Sequence, residues 1–340
     1  MKVISKGFTI IVSIILAYLA LFYIPLPYYV TQPGSAEELD QFVTVENGYK
    51  EKGEFMFTTV AIRQASPFYL LLGSILPFHE IEKEEEIMMS GESDEDYNNR
   101  QEHYMKTAQE KAVYNAYVNA GKDVKKTFDG IFVMYVAEKM PAHGVLKVGD
   151  IITAVDGIKM ESNEMFYKSI GAKKVGDDVH LSILRDGKKM EATIPVKKFD
   201  ETSDKIGIGI SYEEEITIIE QPVTKFHLED VGGPSAGLMF TLEIFNQLTE
   251  EDFTKGYKIA GTGTIDFDGT VGPIGGISQK IVAADDESAE IFFAPNEKGA
   301  NNSNYKEAVK TAKKIKTDML IVPVDNVSDA INYLEKLEKK

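Results

Sequence analysis

Two short glycine-bearing stretches hold the side chains best suited to covalent chemistry. The first is Gly232-Gly-Pro-Ser235-Ala-Gly237, followed by Leu238, Leu242, Phe245 and Leu248 at helical spacing. The second is Gly272-Pro-Ile-Gly-Gly-Ile-Ser-Gln-Lys280, after which Ile281 and Ala284 continue an apolar helical face. A serine needs a base before it can act as a nucleophile. Gly233-x-Ser235-x-Gly237 formally fits the nucleophile elbow of α/β-hydrolases, whose histidine follows the serine in the chain. Here His79, His103, His143, His180 and His227 all precede Ser235, so that reading fails. None of them shows the H-x-x-x-H spacing of a zinc site either. Lysine is the remaining base. A free lysine has a pKa of about 10.4 and is useless as a base at neutral pH. Burial among aliphatic groups disfavours its charged form, and reaching a pKa of about 7 takes roughly 4–5 kcal/mol of differential destabilisation. Ser–Lys is a recognised variant of the serine–base pair.

These residues must be positioned by a chain of 340 residues, long for one domain and comfortable for two. It carries 37 Lys+Arg against 54 Asp+Glu, a net charge of −17. Such a chain is a poor partner for nucleic acid or an anionic membrane through general charge. With no cysteine, disulfides, thiolate metal sites and a Cys nucleophile are excluded. No metal or cofactor is expected. The apolar run Phe8 to Ile24 follows Lys2 and Lys6, and no Lys or Arg recurs until Lys50. Seventeen helical residues span about 25 Å, and the charge asymmetry predicts a single-pass anchor over residues 1–27, with its N-terminus cytoplasmic and the rest extracellular. Pro25 and Pro27 occupy the place where a cleavable signal would need small residues. The run Pro67 to Phe78 is bounded by prolines and reads as buried core. The acidic stretch 80–96 reads as a solvated face, and residues 97–120 as a polar helix capped by Gly121.

Residues 128–198 have a different texture. Short apolar alternations are separated by Asp156-Gly157 and Asp186-Gly187, strong hairpin signals, with one short helix from Asn163 to Ile170. Leu146-x-x-Gly-Asp-Ile-Ile-x-x-Val-Asp-Gly157 resembles the middle of bacterial PDZ domains. That resemblance implies a peptide-binding sheet edge and places a carboxylate loop at Phe128-Asp-Gly130-Ile131, with Gly130 and Ile131 as its binding residues.

The serine and lysine motifs together resemble the proteolytic domain of Lon proteases. The resemblance rests on Gly233-Pro-Ser-Ala-Gly237, Gly261-Thr-Gly-Thr-Ile265 and Pro273-Ile-Gly-Gly-Ile-x-x-Lys280, and covers most of residues 200–340. With the apolar N-terminus and the PDZ-like module, the chain looks like the membrane-anchored, PDZ-containing Lon-like proteases of Gram-positive bacteria. The resemblance implies an α+β fold with a PDZ domain at 121–199 inserted between two parts of a Lon-like domain, 28–120 and 200–340. It implies that Ser235 is the nucleophile, Lys280 the general base and Thr262 the residue orienting Lys280. The Ser235 N–H, at a helix N-terminus, suits an oxyanion donor, with Gly233 or Ala236 as the second. Two features depart from the family or narrow its activity. Lon proteases place an aspartate three residues before the serine, where this chain has Gly232, and no G-x-x-x-x-G-K-[ST] phosphate loop occurs. The expectation is an ATP-independent serine endopeptidase acting on peptides or unfolded exported proteins, with membrane attachment through the N-terminal helix and oligomers of unassigned number. An inactive membrane-anchored PDZ adaptor is the alternative.

Overall fold

The computed structural model describes residues 6–200, 202, 204–228 and 231–340. The first part of the chain supplies α1 (Lys6–Tyr23), β1 (Tyr28–Glu38), β2 (Val43–Val45), β3 (Glu54–Gln64), α2 (Pro67–Ile75), β4 (Glu80–Lys83) and α3 (Asp94–Asn119). The middle supplies β5 (Val124–Val136), β6 (Ile151–Val155), α4 (Asn163–Gly171), β7 (Asp178–Arg185), β8 (Lys188–Pro195) and β9 (Ile210–Glu220). The last part supplies β10 (Thr224–Phe226), α5 (Gly237–Leu248), β11 (Lys258–Gly261), α6 (Ile277–Asp286), β12 (Ile291–Pro295), α7 (Asn304–Ile315), β13 (Leu320–Val324) and α8 (Val327–Lys336).

One mixed sheet runs in the order β13-β12-β11-β3-β1-β4. β11, β12 and β13 are parallel, as helical crossovers require, while β1 and β4 add antiparallel hairpin-like pairings. β3 therefore pairs with β11 across 200 residues of sequence, from Glu54↔Lys258 to Phe57↔Gly261. The early strands belong to the same domain as the C-terminal part, and a large apolar core joins Phe55 and Phe57 to Phe240 and Phe293. Beyond Phe57 the partner strand stops, and the far half of β3 projects with β1 and β4 as a three-stranded arm.

The second core lies in the middle of the chain and gathers Ile131, Ile152, Phe166, Leu181 and Ile194. Asp156-Gly157 and Asp186-Gly187 form turns with positive φ at both residues, as the hairpin signals required. The apolar contacts of this core run past residue 199. Ile208 is buried in this core, and Ile210 and Tyr212 pack against it. β5 and β9 pair antiparallel from Val136↔Ile210 to Val124↔Glu220, with register shifts between Ser211 and Tyr212 and between Glu215 and Ile216, and Val124 and Ile218 at the far end pack on the large core. A single two-stranded ribbon thus belongs to both units.

Three expectations need correction. The N-terminal apolar run forms α1, with side chains such as Ile14 and Leu16 exposed, but among the described residues no helix is long and apolar enough to cross a membrane. The 18 residues of α1 span about 27 Å, short of a hydrocarbon core of about 30 Å. Residues 1–5, expected on the cytoplasmic side, lie outside the described residues. The segment expected as buried core, Pro67 to Phe78, contains α2, which leaves Leu71 and Ile75 exposed because it lies outside the sheet, with Phe68 against Phe22 of α1. Nor is the acidic stretch 80–96 wholly solvated. Glu92 is buried in a two-pronged ion pair with Arg100, both bonds 2.7 Å, which braces the start of α3.

Candidate active site

Ser235 stands immediately before α5, whose N-cap is Ala236. The helix approaches the neighbouring strand segment so closely that a Cβ on Gly237 would lie 2.6 Å from Ile265 Cγ2. The Ser235 carbonyl is fixed by the Gly263 N–H at 2.8 Å and the Thr262 hydroxyl at 3.0 Å. Lys280 lies on the first turns of α6. The N-cap of that helix, Gly276, has a left-handed backbone (φ 69°), and a Cβ there would meet Val60 at 2.6 Å.

The Lys280 side chain crosses the core and is 2% exposed. Its Nζ is 2.8 Å from Ser235 Oγ, 2.8 Å from the Thr58 carbonyl and 3.1 Å from Thr262 Oγ1. Desolvation pushes its pKa down to about 7, so the neutral amine is accessible near neutral pH. Hydrogen-bond roles then follow from the partners. A carbonyl can only accept, so Thr58 takes one N–H. The Thr262 hydroxyl already donates to the Ser235 carbonyl, so it accepts the second. A neutral amine has no third N–H, and its lone pair is left facing Ser235 Oγ. That arrangement can take the serine proton, the chemistry of a nucleophile paired with a base.

The candidate oxyanion donors separate. The Gly233 N–H donates to the Gln101 carbonyl of α3 at 3.1 Å and is engaged there. Among the described residues no acceptor takes the Ser235 or Ala236 N–H. Both stand at the N-terminal end of α5, where backbone dipoles favour negative charge.

Gly130 and Ile131 do not form a loop. Both lie inside β5, Gly130 paired with Glu215, and Ile131 paired with Glu214 on one side and Ile152 on the other. β9 and β8 are the two edges of this sheet; β9 is preceded by the glycine-bearing segment Ile206-Gly-Ile-Gly209, and Tyr212 of β9 packs edge-on against Phe166 of α4 at 4.8 Å.

Ser235 opens into a cleft of about 1530 Å³ between the three-stranded arm and α3. Two of its features have no signature in residue type. Thr58 acts through its carbonyl. The wall supplied by α3, including Gln101 and Met105, is brought in by packing from far along the chain.

The fold joins a domain holding the buried Ser235–Lys280 contact to a small β-rich module. Residues 117–196 match the PDZ domain family, and residues 224–336 match the Lon protease (S16) C-terminal proteolytic domain. The chain therefore carries a PDZ domain and a Lon-type proteolytic domain. Among curated proteins it is similar to the Lon protease of Metamycoplasma arthritidis, 29% identical over 157 residues, covering 46% of this chain and 18% of that protein. The Lon protease of Campylobacter concisus is 31% identical over 156 residues, 44% of this chain and 18% of that protein. The chain thus matches under a fifth of the length of these relatives. Among solved structures, the PDZ domain of an SdrC-like protein from Listeria monocytogenes is 38% identical, covering 25% of this chain and 90% of that one, with a TM-score of 0.24.

Proposed function

We propose that this protein is an endopeptidase that cleaves extended or unfolded polypeptide without ATP, using Ser235 as nucleophile and Lys280 as general base. The observation that carries this reading is the 2.8 Å contact between Ser235 Oγ and a buried lysine whose pKa is pushed down to about 7. Lys280 takes the Ser235 proton as Oγ attacks the scissile carbonyl. The resulting oxyanion lies at the Ser235 and Ala236 N–H groups. The Lys280 ammonium then protonates the leaving amine, giving an acyl-enzyme. Water enters, Lys280 takes its proton, the hydroxide attacks the ester, and the proton returns to Ser235 as the acid product leaves. Thr262 and the Thr58 carbonyl hold the amine in line throughout.

The cleft suits extended chain. The Glu54 N–H and the Thr58 carbonyl both point to the β11 side of β3, so by strand alternation Val60 and Ile62 point their N–H and C=O groups the same way. With β11 ended at Gly261, these groups have no strand partner among the described residues, and Val60 and Ile62 line the cleft. A substrate strand can pair there. The free edge of β9, facing α4, offers a second strand-adding surface through which the PDZ domain would hold a peptide. The chain contains no phosphate-loop motif, which supports action on chains already unfolded.

The test is cleavage of casein without ATP by wild type, Ser235→Ala and Lys280→Ala. The expected result is loss of cleavage by about a thousandfold or more in both variants, with folding retained. Equal behaviour of all three would support the adaptor reading instead.

A further inference from the structure

The Ser235–Lys280 pair defines the site, and the charge of the surrounding walls bears on what it accepts. Glu37 on β1, Glu80 and Glu82 on β4, and Glu102 on α3 all line the cleft. No ion pair is formed by any of the four among the described residues. Glu82 accepts a hydrogen bond from the neutral Thr31 hydroxyl. Among the described residues, the cationic side chains on the same walls are Lys280, which the chemistry needs neutral, and Lys106, which is held by Glu215. The cleft walls therefore carry several carboxylates without a paired cation, Glu80 and Glu102 exposed and Glu37 and Glu82 half-buried, a charge of one sign that acts on whatever enters. The same cleft is also lined by Phe42, Phe57, Met105, Leu228 and Val231, an apolar part of the wall that opens on Ser235.

We infer that the substrates are extended segments with an apolar residue at the scissile position and lysine or arginine a few residues away, and that Glu80, Glu82 and Glu102 set this preference. The inference rests on the protease reading above. A peptide strand on the Val60–Ile62 edge presents every second side chain to the cleft face of the arm's sheet, the face that carries these carboxylates and is closed by α3. Long basic side chains reach carboxylates on either wall, and acidic ones meet like charge.

The experiment uses the full chain and internally quenched peptides of one length with the same apolar centre, flanked by lysines, glutamines or glutamates. Casein is run in parallel with wild type and Ser235→Ala. The expected order of kcat/KM is lysine, then glutamine, then glutamate, with at least about fivefold between neighbours at low salt and compression of the series at high salt. The combined variant Glu80→Gln, Glu82→Gln, Glu102→Gln should shrink the lysine–glutamate gap severalfold. Glu335→Gln with Glu338→Gln, two exposed carboxylates outside the cleft, should leave it unchanged. Casein left uncut by wild type, or cut equally by Ser235→Ala, would remove the protease reading itself. Casein cut by wild type alone, with flanks ranked equal or reversed, would overturn the inference and leave that reading standing. So would a gap that persists in the cleft variant or closes in the remote one, because the preference would then belong to the net charge of −17 and not to the cleft.

Discussion

Lys280 carries an opposition between function and stability. In the unfolded chain its amine has a pKa near 10.5, and in the fold burial lowers this to about 7. Between those values the unfolded state holds a proton that the folded state has lost, so this group makes stability rise with pH across that window. Below about 7 the fold must keep a buried ammonium, and the full cost applies. Lys280→Met should therefore stabilise the protein by on the order of a few kcal/mol at pH 6, with the gain shrinking through pH 7–10. Chemical denaturation of both proteins over that range checks it, and a gain that grows with pH would contradict it. The same shift sets the activity profile. If neutral Lys280 is the base, kcat/KM for a short peptide should climb about tenfold per pH unit below 7 and level off near 8. An inflection near 10 would mean that the lysine is solvated when substrate binds.

At the scale of elements, the site depends on how α6 begins. Gly276 supplies a left-handed turn where a side chain would collide with Val60, while a Cβ on Gly275 would meet nothing within 4 Å. Gly276→Ala should cost about 1–3 kcal/mol and lower kcat by tenfold or more by moving Lys280, whereas Gly275→Ala should leave the melting temperature nearly unchanged. Paired thermal melts and rates test this contrast. The glycines around Ser235 and Lys280 were legible in the sequence because their spacing sat next to helical apolar periodicity. Gly130 misled for a related reason. A glycine ahead of a β-branched and aromatic run looks like a turn, yet it serves close strand contact, since a Cβ there would lie 2.6 Å from Ile151 Cγ2 and 2.9 Å from the Ile152 carbonyl. The C-terminal end of α3 could be read from Gly121, whereas its start, expected at residue 97 after an acidic run taken as solvated, falls at Asp94. Ser93 caps the Asp96 N–H, three acidic residues fill the first turn, and Gly121 follows with φ 64°. Its role as a cleft wall could not, because nothing local records that the Gln101 carbonyl takes the Gly233 N–H.

At the scale of the whole molecule, the β5–β9 ribbon decides how the two units can be separated. A cut at residues 121–199 would remove β5 and leave β9 without its partner, exposing a long strand edge. The ribbon has a natural division where its apolar contacts change cores. Ile131 and Tyr212 pack inside the PDZ unit, while Val124 and Ile218 pack on the protease core. Between these sets, Gly130 faces Glu215. Replacing residues 131–214 by Asn-Gly would close β5 and β9 into a short hairpin with a favoured turn, and keep Lys106 beside Glu215. This excised protein should fold, unfold in one cooperative transition, and cut casein within about tenfold of the full chain, because Ser235, Lys280, Thr262 and Thr58 all lie outside the removed segment. Its rate should no longer depend on whether a peptide substrate ends in a free carboxylate or an amide. In the full chain, a free apolar C-terminus held on β9 should raise kcat/KM for longer peptides. If the excised protein folds but loses all casein cleavage, the PDZ unit is part of the catalytic assembly and not a separable means of holding substrate.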